Sequence, residues 1–190
     1  MKTLCKLDHI LGARDLLMKT QQIIYENQCA TNQTESQLTE YTLKKIEAYG
    51  FEYFLFRLIP RFGNILTHSK LLTNYPKGFI EHYEKNHYVQ TNPIVIHCQL
   101  SISPIIWDQT VFSETPEIWE GTQAHGLNHG WSQSVHDTKG VVSILSLARS
   151  NGPLTEREFS EKAANVLSLC NQLPTSPTSP YFPRPLESHP

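Results

Sequence analysis

Apolar residues at helical intervals predict two helices near the start of the chain. Residues 8–28 carry a loose helical stripe, and a second stripe follows a polar break at residues 29–34. Thr34 and Gln37 have the spacing of a capping box, which favours a helix that begins near Thr34. Gly50 follows the last apolar residue of this stripe, so we predict that the second helix ends there.

Four segments have the composition or the alternation of β-strands. Residues 51–58 are rich in aromatic side chains and lie between a glycine and a proline. Residues 61–64 have turn chemistry, and residues 65–72 then alternate well enough to form the second strand of a hairpin. The remaining two candidates are residues 131–136 and 140–149, which are separated by an Asp-Thr-Lys-Gly turn.

Between the two pairs of strands, prolines mark the starts of short helices. Residues 77–86 follow Pro76, and the Asn92-Pro93 pair starts a helix that continues to Gln99. A third short helix begins at Thr115, because Pro116 follows it directly.

We expect the glycines of the GLNHG segment, Gly126 and Gly130, to close the helix that begins at Thr115. The last helix is predicted over residues 154–173, where Thr155 and Glu158 again have capping-box spacing. The order of elements predicts an α+β fold in which about five antiparallel strands form one central sheet and helices cover both of its faces.

The length of 190 residues fits one domain, and no linker interrupts its first 170 residues. We therefore predict a single domain over residues 1–173. Residues 174–190 contain six prolines in 17 positions, which predicts an extended or disordered tail without regular structure.

Charge and hydropathy exclude two broad classes of partner. Sixteen lysines and arginines balance 18 acidic residues, so the chain has no general electrostatic attraction for nucleic acid. A membrane span needs about 18 consecutive apolar residues, and the sequence contains no such run. It also lacks the pattern of a signal peptide, so we expect a cytoplasmic protein.

Cysteines and histidines do not form a recognisable catalytic or metal-binding motif. The nine histidines include no HExxH pattern, and glycines interrupt any helix between His125 and His129. We expect neither an enzyme nor a metal site. The four cysteines are far apart and form no CxxC pair, which predicts reduced, mostly buried thiols: Cys5, Cys29, Cys98 and Cys170.

Residues 74–107 carry the most informative pattern, because aromatic side chains are spaced around one polar side chain. Mostly apolar walls with a few polar groups are typical of a pocket for an amphiphilic small molecule. Two simpler interpretations remain: the aromatic residues form plain core, and Asn92 only caps a helix. The residues of the pattern are Tyr75, Phe79, Tyr83, Asn92 and Trp107.

In order, the motifs NYPxxFxxxYxxxxYxxxNP, PIIW, GLNHGWS and GVVSILSLARS resemble the autoinducer-binding domain of LuxR-type quorum-sensing regulators. The resemblance covers most of residues 48–173. It implies an α/β/α sandwich that encloses an acyl-homoserine lactone between the sheet and one layer of helices.

The resemblance also implies roles for individual residues. Tyr75 would donate to the amide carbonyl of the ligand, and Ser146 would lie near the same carbonyl. Tyr83 would flank the acyl chain, and Trp107 would pack against the lactone ring.

Two positions depart from the family pattern. The family commonly has Trp at the position of Phe79, where the indole donates to the lactone carbonyl, and phenyl has no donor. It commonly has Asp at the position of Asn92, whose amide accepts without charge assistance. Losing one buried partner costs roughly 1–3 kcal/mol, so an unmodified lactone should bind more weakly unless nearby histidines compensate or another ligand is preferred.

The family's sensor domain is followed by a helix-turn-helix domain that binds DNA. Only 36 residues follow Leu154, which is too few for such a module, so we expect no direct DNA binding. The expected partners are the autoinducer and a second protein, as a homodimer or as a heterodimer with a full-length LuxR-type regulator. The alternative is an interaction or anti-activator protein whose pocket is vestigial or altered.

Overall fold

A computed structural model describes residues 34–60, 69–138 and 140–174 of the chain. Within these ranges the helices are α1 (Glu35–Ala48), α2 (Lys77–Lys85), α3 (Pro93–Leu100), α4 (Pro116–Ala124) and α5 (Glu156–Gln172), with a 3₁₀ turn at Tyr88–Gln90. The strands are β1 (Tyr53–Pro60), β2 (Lys70–Thr73), β3 (Ile105–Ile106), β4 (His129–His136) and β5 (Val141–Arg149).

The five strands form one antiparallel sheet in the order β2-β1-β5-β4-β3. Because successive strand residues point to opposite faces, each long strand supplies side chains to both sides of the sheet. On β1, Phe54, Phe56 and Leu58 lie on the face covered by α1 and α5. Leu55 lies on the other face, which α2, α3 and α4 cover. The predicted α/β/α sandwich with a central antiparallel sheet is therefore confirmed.

Helix starts and ends follow the predicted capping chemistry. Thr34 and Gln37 form the complete capping box of α1, with the Gln37 side chain accepting from the Thr34 backbone at 2.8 Å. Gly50 adopts φ +80° just after this helix, a conformation that favours glycine. Thr155 caps α5 by accepting from the Glu158 backbone at 3.1 Å, but the Glu158 carboxylate turns elsewhere.

The structure corrects two details of the sequence interpretation. Gly130 does not close α4; it lies inside β4, and Gly126 with φ +76° follows that helix instead. The two-residue strand β3 was not predicted as an element, because two residues cannot show a strand period.

Several predicted features lie outside the described residues. They are the helix over residues 8–28, the turn at residues 61–64, the first part of the predicted strand at residues 65–68, Cys5, Cys29 and the tail from residue 175 onward. The domain boundary at residue 173 therefore stays a prediction. No helix in the described ranges has both the length and the hydrophobicity needed to cross a bilayer.

One charged network ties the end of β5 to α5 and to the residues after α1. Both terminal guanidinium nitrogens of Arg149 donate to the Glu158 carboxylate, at 2.7 and 2.8 Å. Lys162 donates to the same carboxylate and to the backbone oxygen of Tyr49. The hydrogen bonds from Arg149, followed by those from Lys162, lower the pKa of Glu158 to about 2.

Glu158→Gln is expected to remove a pH-dependent part of the stability. A carboxyl with a lowered folded-state pKa stabilises the fold above its unfolded pKa of about 4.5, and this contribution disappears as the pH falls toward 2. Charged hydrogen bonds contribute about 1.5–3 kcal/mol. Melting temperatures of the wild type and the variant should thus differ by several degrees at pH 7 and converge near pH 2.

Glu161→Gln on the same helix is the matched control, because the partner of Glu161 in the described part of the chain is the exposed Arg157 at 2.8 Å. Such surface pairs contribute less than about 1 kcal/mol. A melting difference between wild type and Glu158→Gln that stays constant from pH 7 to pH 2 would contradict the assigned role.

Candidate functional site

A cavity lies between the sheet and the layer formed by α2, α3 and α4. All six residues that the sequence interpretation assigned to a pocket line it. Seven further lining residues come from the sheet, α3, α4 and the loop before α4. The complete lining is Leu55, Arg57, Tyr75, Phe79, Tyr83, Asn92, Ile94, Val95, Trp107, Phe112, Thr122, Ile144 and Ser146.

The aromatic wall comes from three residues spaced four apart at and along α2. This spacing puts Tyr75, Phe79 and Tyr83 on one side of the helix, and each is only 6% exposed. Neighbouring ring centroids are 5.9 and 5.8 Å apart. These rings belong to the buried apolar cluster and also line the cavity, so the core and pocket interpretations describe the same side chains.

The Tyr75 hydroxyl is buried and has no hydrogen-bond partner among the residues that the structure describes. Burial, with a smaller effect of Tyr83, raises the pKa of Tyr75, so its hydroxyl keeps its proton and can donate. Two other buried polar atoms in the described ranges also lack a partner, on Thr115 and Trp131, but neither residue lines the cavity. A buried unpaired hydroxyl costs roughly 1–3 kcal/mol, so an acceptor placed beside it would remove this cost.

Asn92 serves as the cap of α3 and also reaches the cavity wall. Its side-chain oxygen accepts from the Ile94 backbone at 2.9 Å, which confirms the predicted helix cap. Its side-chain nitrogen donates to the Tyr83 hydroxyl at 2.9 Å. Burial raises the pKa of Tyr83 to about 12. One lone pair of the Asn92 oxygen stays available, because an amide oxygen has two.

Trp107 is held in place by a chain of hydrogen bonds and by a glycine. Its indole nitrogen donates to Ser132 Oγ at 3.0 Å, and Ser132 Oγ lies 2.7 Å from Ser146 Oγ. The ring lies on Gly130, where a Cβ atom would come within 2.1 Å of Trp107 Cε3. The close approach of ring and backbone explains why Gly130 occurs in the middle of a strand.

The sequence interpretation missed two polar lining residues, Thr122 on α4 and Arg57 on β1. Arg57 is the charged one. Its side chain is only 3% exposed and forms an ion pair with Glu84 at 2.5 Å. The only signal in the sequence is period two, which puts Arg57 on the same face as Leu55. A charged residue within an aromatic strand was not interpreted as buried, since arginine is seldom fully buried.

The cavity is narrow, with a volume of about 40 Å³. This is room for a few waters, whereas drug-sized ligands occupy pockets of roughly 300–1,000 Å³. Phe112 forms one wall of the cavity and also borders a surface depression of about 460 Å³ beside Trp119 and Pro116. A larger ligand thus requires side-chain movement, and Phe112 separates the two spaces.

No histidine of the described residues lines the cavity, so none of them replaces the indole donor that Phe79 lacks. His125 packs edge-on against the Phe79 ring, with centroids 5.6 Å apart, but it does not line the cavity. Its Nδ1 lies 2.9 Å from the Gly121 backbone oxygen.

The described residues contain no cluster of three or more histidine, cysteine or acidic side chains suited to a metal ion. Cys98 and Cys170 are free and buried, as predicted for these two. Burial raises the pKa of both thiols to about 12, so they are protonated and unreactive at neutral pH.

Comparisons with known proteins identify relatives of this fold and sequence. The family model of the autoinducer binding domain matches residues 34–174. The transcriptional activator protein AnoR of Acinetobacter nosocomialis is 30% identical over 144 residues, which are 75% of this chain and 60% of AnoR. The chain spans about half the length of other curated relatives it matches.

Solved structures show the same fold at lower identity. The N-acylhomoserine lactone dependent factor CepR2 of Burkholderia cenocepacia has a TM-score of 0.67 at 22% identity, over 80% of this chain and 90% of that one. SdiA, an Escherichia coli regulatory protein, in complex with octanoyl-rac-glycerol has a TM-score of 0.63 at 19% identity, over 87% and 64% of the chains.

Proposed function

This chain belongs to the autoinducer-binding domain family of LuxR-type quorum-sensing regulators, and from that premise we propose that its cavity binds a small acylated signal molecule. An acyl-homoserine lactone is the first candidate. The observation that carries the proposal is the buried Tyr75 hydroxyl, which lines the apolar cavity without a partner. If these side chains served only as hydrophobic core, the hydroxyl would lose its hydration without a hydrogen bond to compensate.

The proposed roles follow from the position of each lining residue. Tyr75 and Ser146 would hold a carbonyl oxygen of the ligand, and the second lone pair of the Asn92 oxygen would accept from an amide N–H. Trp107 would pack against the head group, and its position is maintained by Ser132. Phe79 and Tyr83 would form part of the apolar wall, and Tyr83 would flank the acyl chain. We propose no catalytic residue.

Ligand entry requires a larger cavity, and the structure suggests where it enlarges. Phe112 lies between the cavity and the surface depression, with its ring 6.4 Å from Trp107 and 5.4 Å from Trp119. Rotation of Phe112 would join the two spaces. SdiA has been solved in complex with an acylated glycerol, so acyl ligands without a lactone ring belong in the ligand panel.

Ligand-induced stabilisation tests the function directly. The protein is expressed with N-octanoyl-homoserine lactone, with octanoyl-rac-glycerol or with neither, and its melting temperature is measured. A ligand at 100 times its Kd adds about 2.7 kcal/mol to the free energy of unfolding, or roughly 5–10 °C for a chain of this size. Mass spectrometry of the organic extract should recover the same molecule.

Unchanged melting across a panel of lactones and acyl glycerols, with no extractable molecule, would contradict the proposal. It would instead support the second candidate function, an interaction protein with an altered pocket. Two observations favour that candidate: Phe79 has no donor where the family commonly has an indole, and the cavity volume is only about 40 Å³.

We further propose that the sensor acts through a second protein, either another copy or a full-length LuxR-type regulator. Exposed apolar side chains at α3 and β3 support a protein contact: Ile96, Leu100, Ile102 and Ile106. Co-expression with a full-length regulator followed by affinity purification should yield a mixed dimer. Recovery of a monomer alone, in both the presence and the absence of ligand, would contradict this.

A further inference from the structure

Arg57 is the one charged side chain among the described residues that line the cavity. It lies in the middle of β1, where alternation puts Phe56 and Leu58 on the opposite face. Its side chain is 3% exposed, which is rare for arginine because burial removes the charge from water. A guanidinium buried in this way needs hydrogen-bond acceptors to offset the cost of its lost hydration.

The partners of Arg57 in the described ranges use only part of its hydrogen-bonding capacity. One terminal nitrogen pairs with Glu84 at 2.5 Å, and the other donates to Ser69 at 3.3 Å. The guanidinium carbon is 5.8 Å from the centroid of the Tyr83 ring. A guanidinium has five N–H donors in a fixed planar fork, and these two bonds occupy two of them.

Register places Arg57 away from the Tyr75 and Ser146 end of the cavity. Leu55 pairs with Ser146, and Arg57 pairs with Ile144, so the backbone of Arg57 lies two residues further along the sheet. Two residues of strand correspond to roughly 6.6 Å. A ligand whose carbonyl lies at Tyr75 and Ser146 would therefore extend its tail past Arg57.

We propose that Arg57 forms a second polar subsite, which selects ligands whose tail carries a neutral hydrogen-bond-accepting oxygen. The proposal rests on the proposed function and names the class of ligand. A purely hydrocarbon tail would cover the guanidinium without offering it an acceptor, whereas a keto or hydroxyl oxygen would receive a charge-assisted hydrogen bond. A tail carboxylate is disfavoured, because Glu84 already balances the charge and a second anion would add uncompensated charge.

Three probes with the same chain length test this: N-octanoyl-, N-(3-oxooctanoyl)- and N-(3-hydroxyoctanoyl)-homoserine lactone. Dissociation constants are measured by ligand-dependent melting or by calorimetry. The wild type should bind at least one oxygenated probe about tenfold more tightly than the plain one. Arg57→Met should lose this preference, so that it binds the three probes with similar affinity.

Glu84→Gln is the matched control, because it removes the outer charge partner and leaves the guanidinium beside the cavity. It should keep the preference, whereas a purely structural role of Arg57 in tying α2 to the sheet would make both variants equally poor binders. The comparison of the three probes on the wild type needs no variant, so it stands even if Arg57→Met does not fold.

The possible outcomes distinguish failure of the Arg57 subsite from failure of the proposed function on which the subsite rests. Equal affinity of the wild type for plain and oxygenated probes would overturn the Arg57 subsite and leave ligand sensing intact. A preference that persists in Arg57→Met would do the same. Binding of none of the three probes by the wild type would contradict lactone sensing itself, and the subsite with it.

Discussion

Gly130→Ala is expected to displace Trp107 and to disable the cavity. A Cβ atom at this position would lie 2.1 and 2.2 Å from two atoms of the indole, far inside contact distance, so the ring must move. Movement would break the hydrogen bond from the indole to Ser132, which in turn lies 2.7 Å from Ser146. Overpacking of this kind costs about 1–3 kcal/mol, or roughly 2–12 °C in melting temperature. Ligand-induced stabilisation should also largely disappear.

Gly121→Ala is the matched control for this experiment. Gly121 lies within α4, and its Cβ would meet the Phe79 ring at 3.7 Å, an ordinary contact distance. Alanine is favoured over glycine inside a helix by up to about 1 kcal/mol, so this variant should melt at the same temperature or slightly higher. If Gly130→Ala melts like the wild type and responds equally to ligand, Trp107 does not depend on that glycine.

Tyr75→Phe is expected to have opposite effects on the free and the liganded protein. Without ligand the variant removes a buried hydroxyl that has no partner, so it should be more stable by about 1 kcal/mol, or roughly 2–4 °C. With ligand it removes one buried hydrogen bond, and affinity should fall by about 5- to 150-fold, which corresponds to roughly 1–3 kcal/mol. Differential scanning fluorimetry with and without N-octanoyl-homoserine lactone measures both effects.

Tyr83→Phe provides the comparison, because the Tyr83 hydroxyl already accepts from Asn92 at 2.9 Å. Its removal leaves a donor of Asn92 without a partner, so the free protein should lose stability where Tyr75→Phe gains it. Tyr75 would not be a ligand-binding group if both variants destabilised the free protein equally and neither changed the response to ligand.

The sequence alone determined the layers and six of the thirteen residues that line the cavity. Period two on β1 and β5 and helical spacing on α2 are local patterns, and burial of their apolar faces against each other leaves few arrangements. For that reason the spacing of Tyr75, Phe79 and Tyr83 is enough to predict that they share one wall. The capping role of Asn92 also followed from its own neighbour, Pro93.

Other features were decided only by the tertiary structure, because they depend on residues distant in sequence. The Trp107 ring needs Gly130 because β3 and β4 bring the two residues together, and neither residue predicts the other locally. The burial of Arg57 depends on Glu84, which α2 brings to it from 27 positions later in the chain. Local periodicity shows which face of a strand or helix a side chain occupies. Packing between distant segments decides which partner compensates a buried charge and where a residue must lack a Cβ atom.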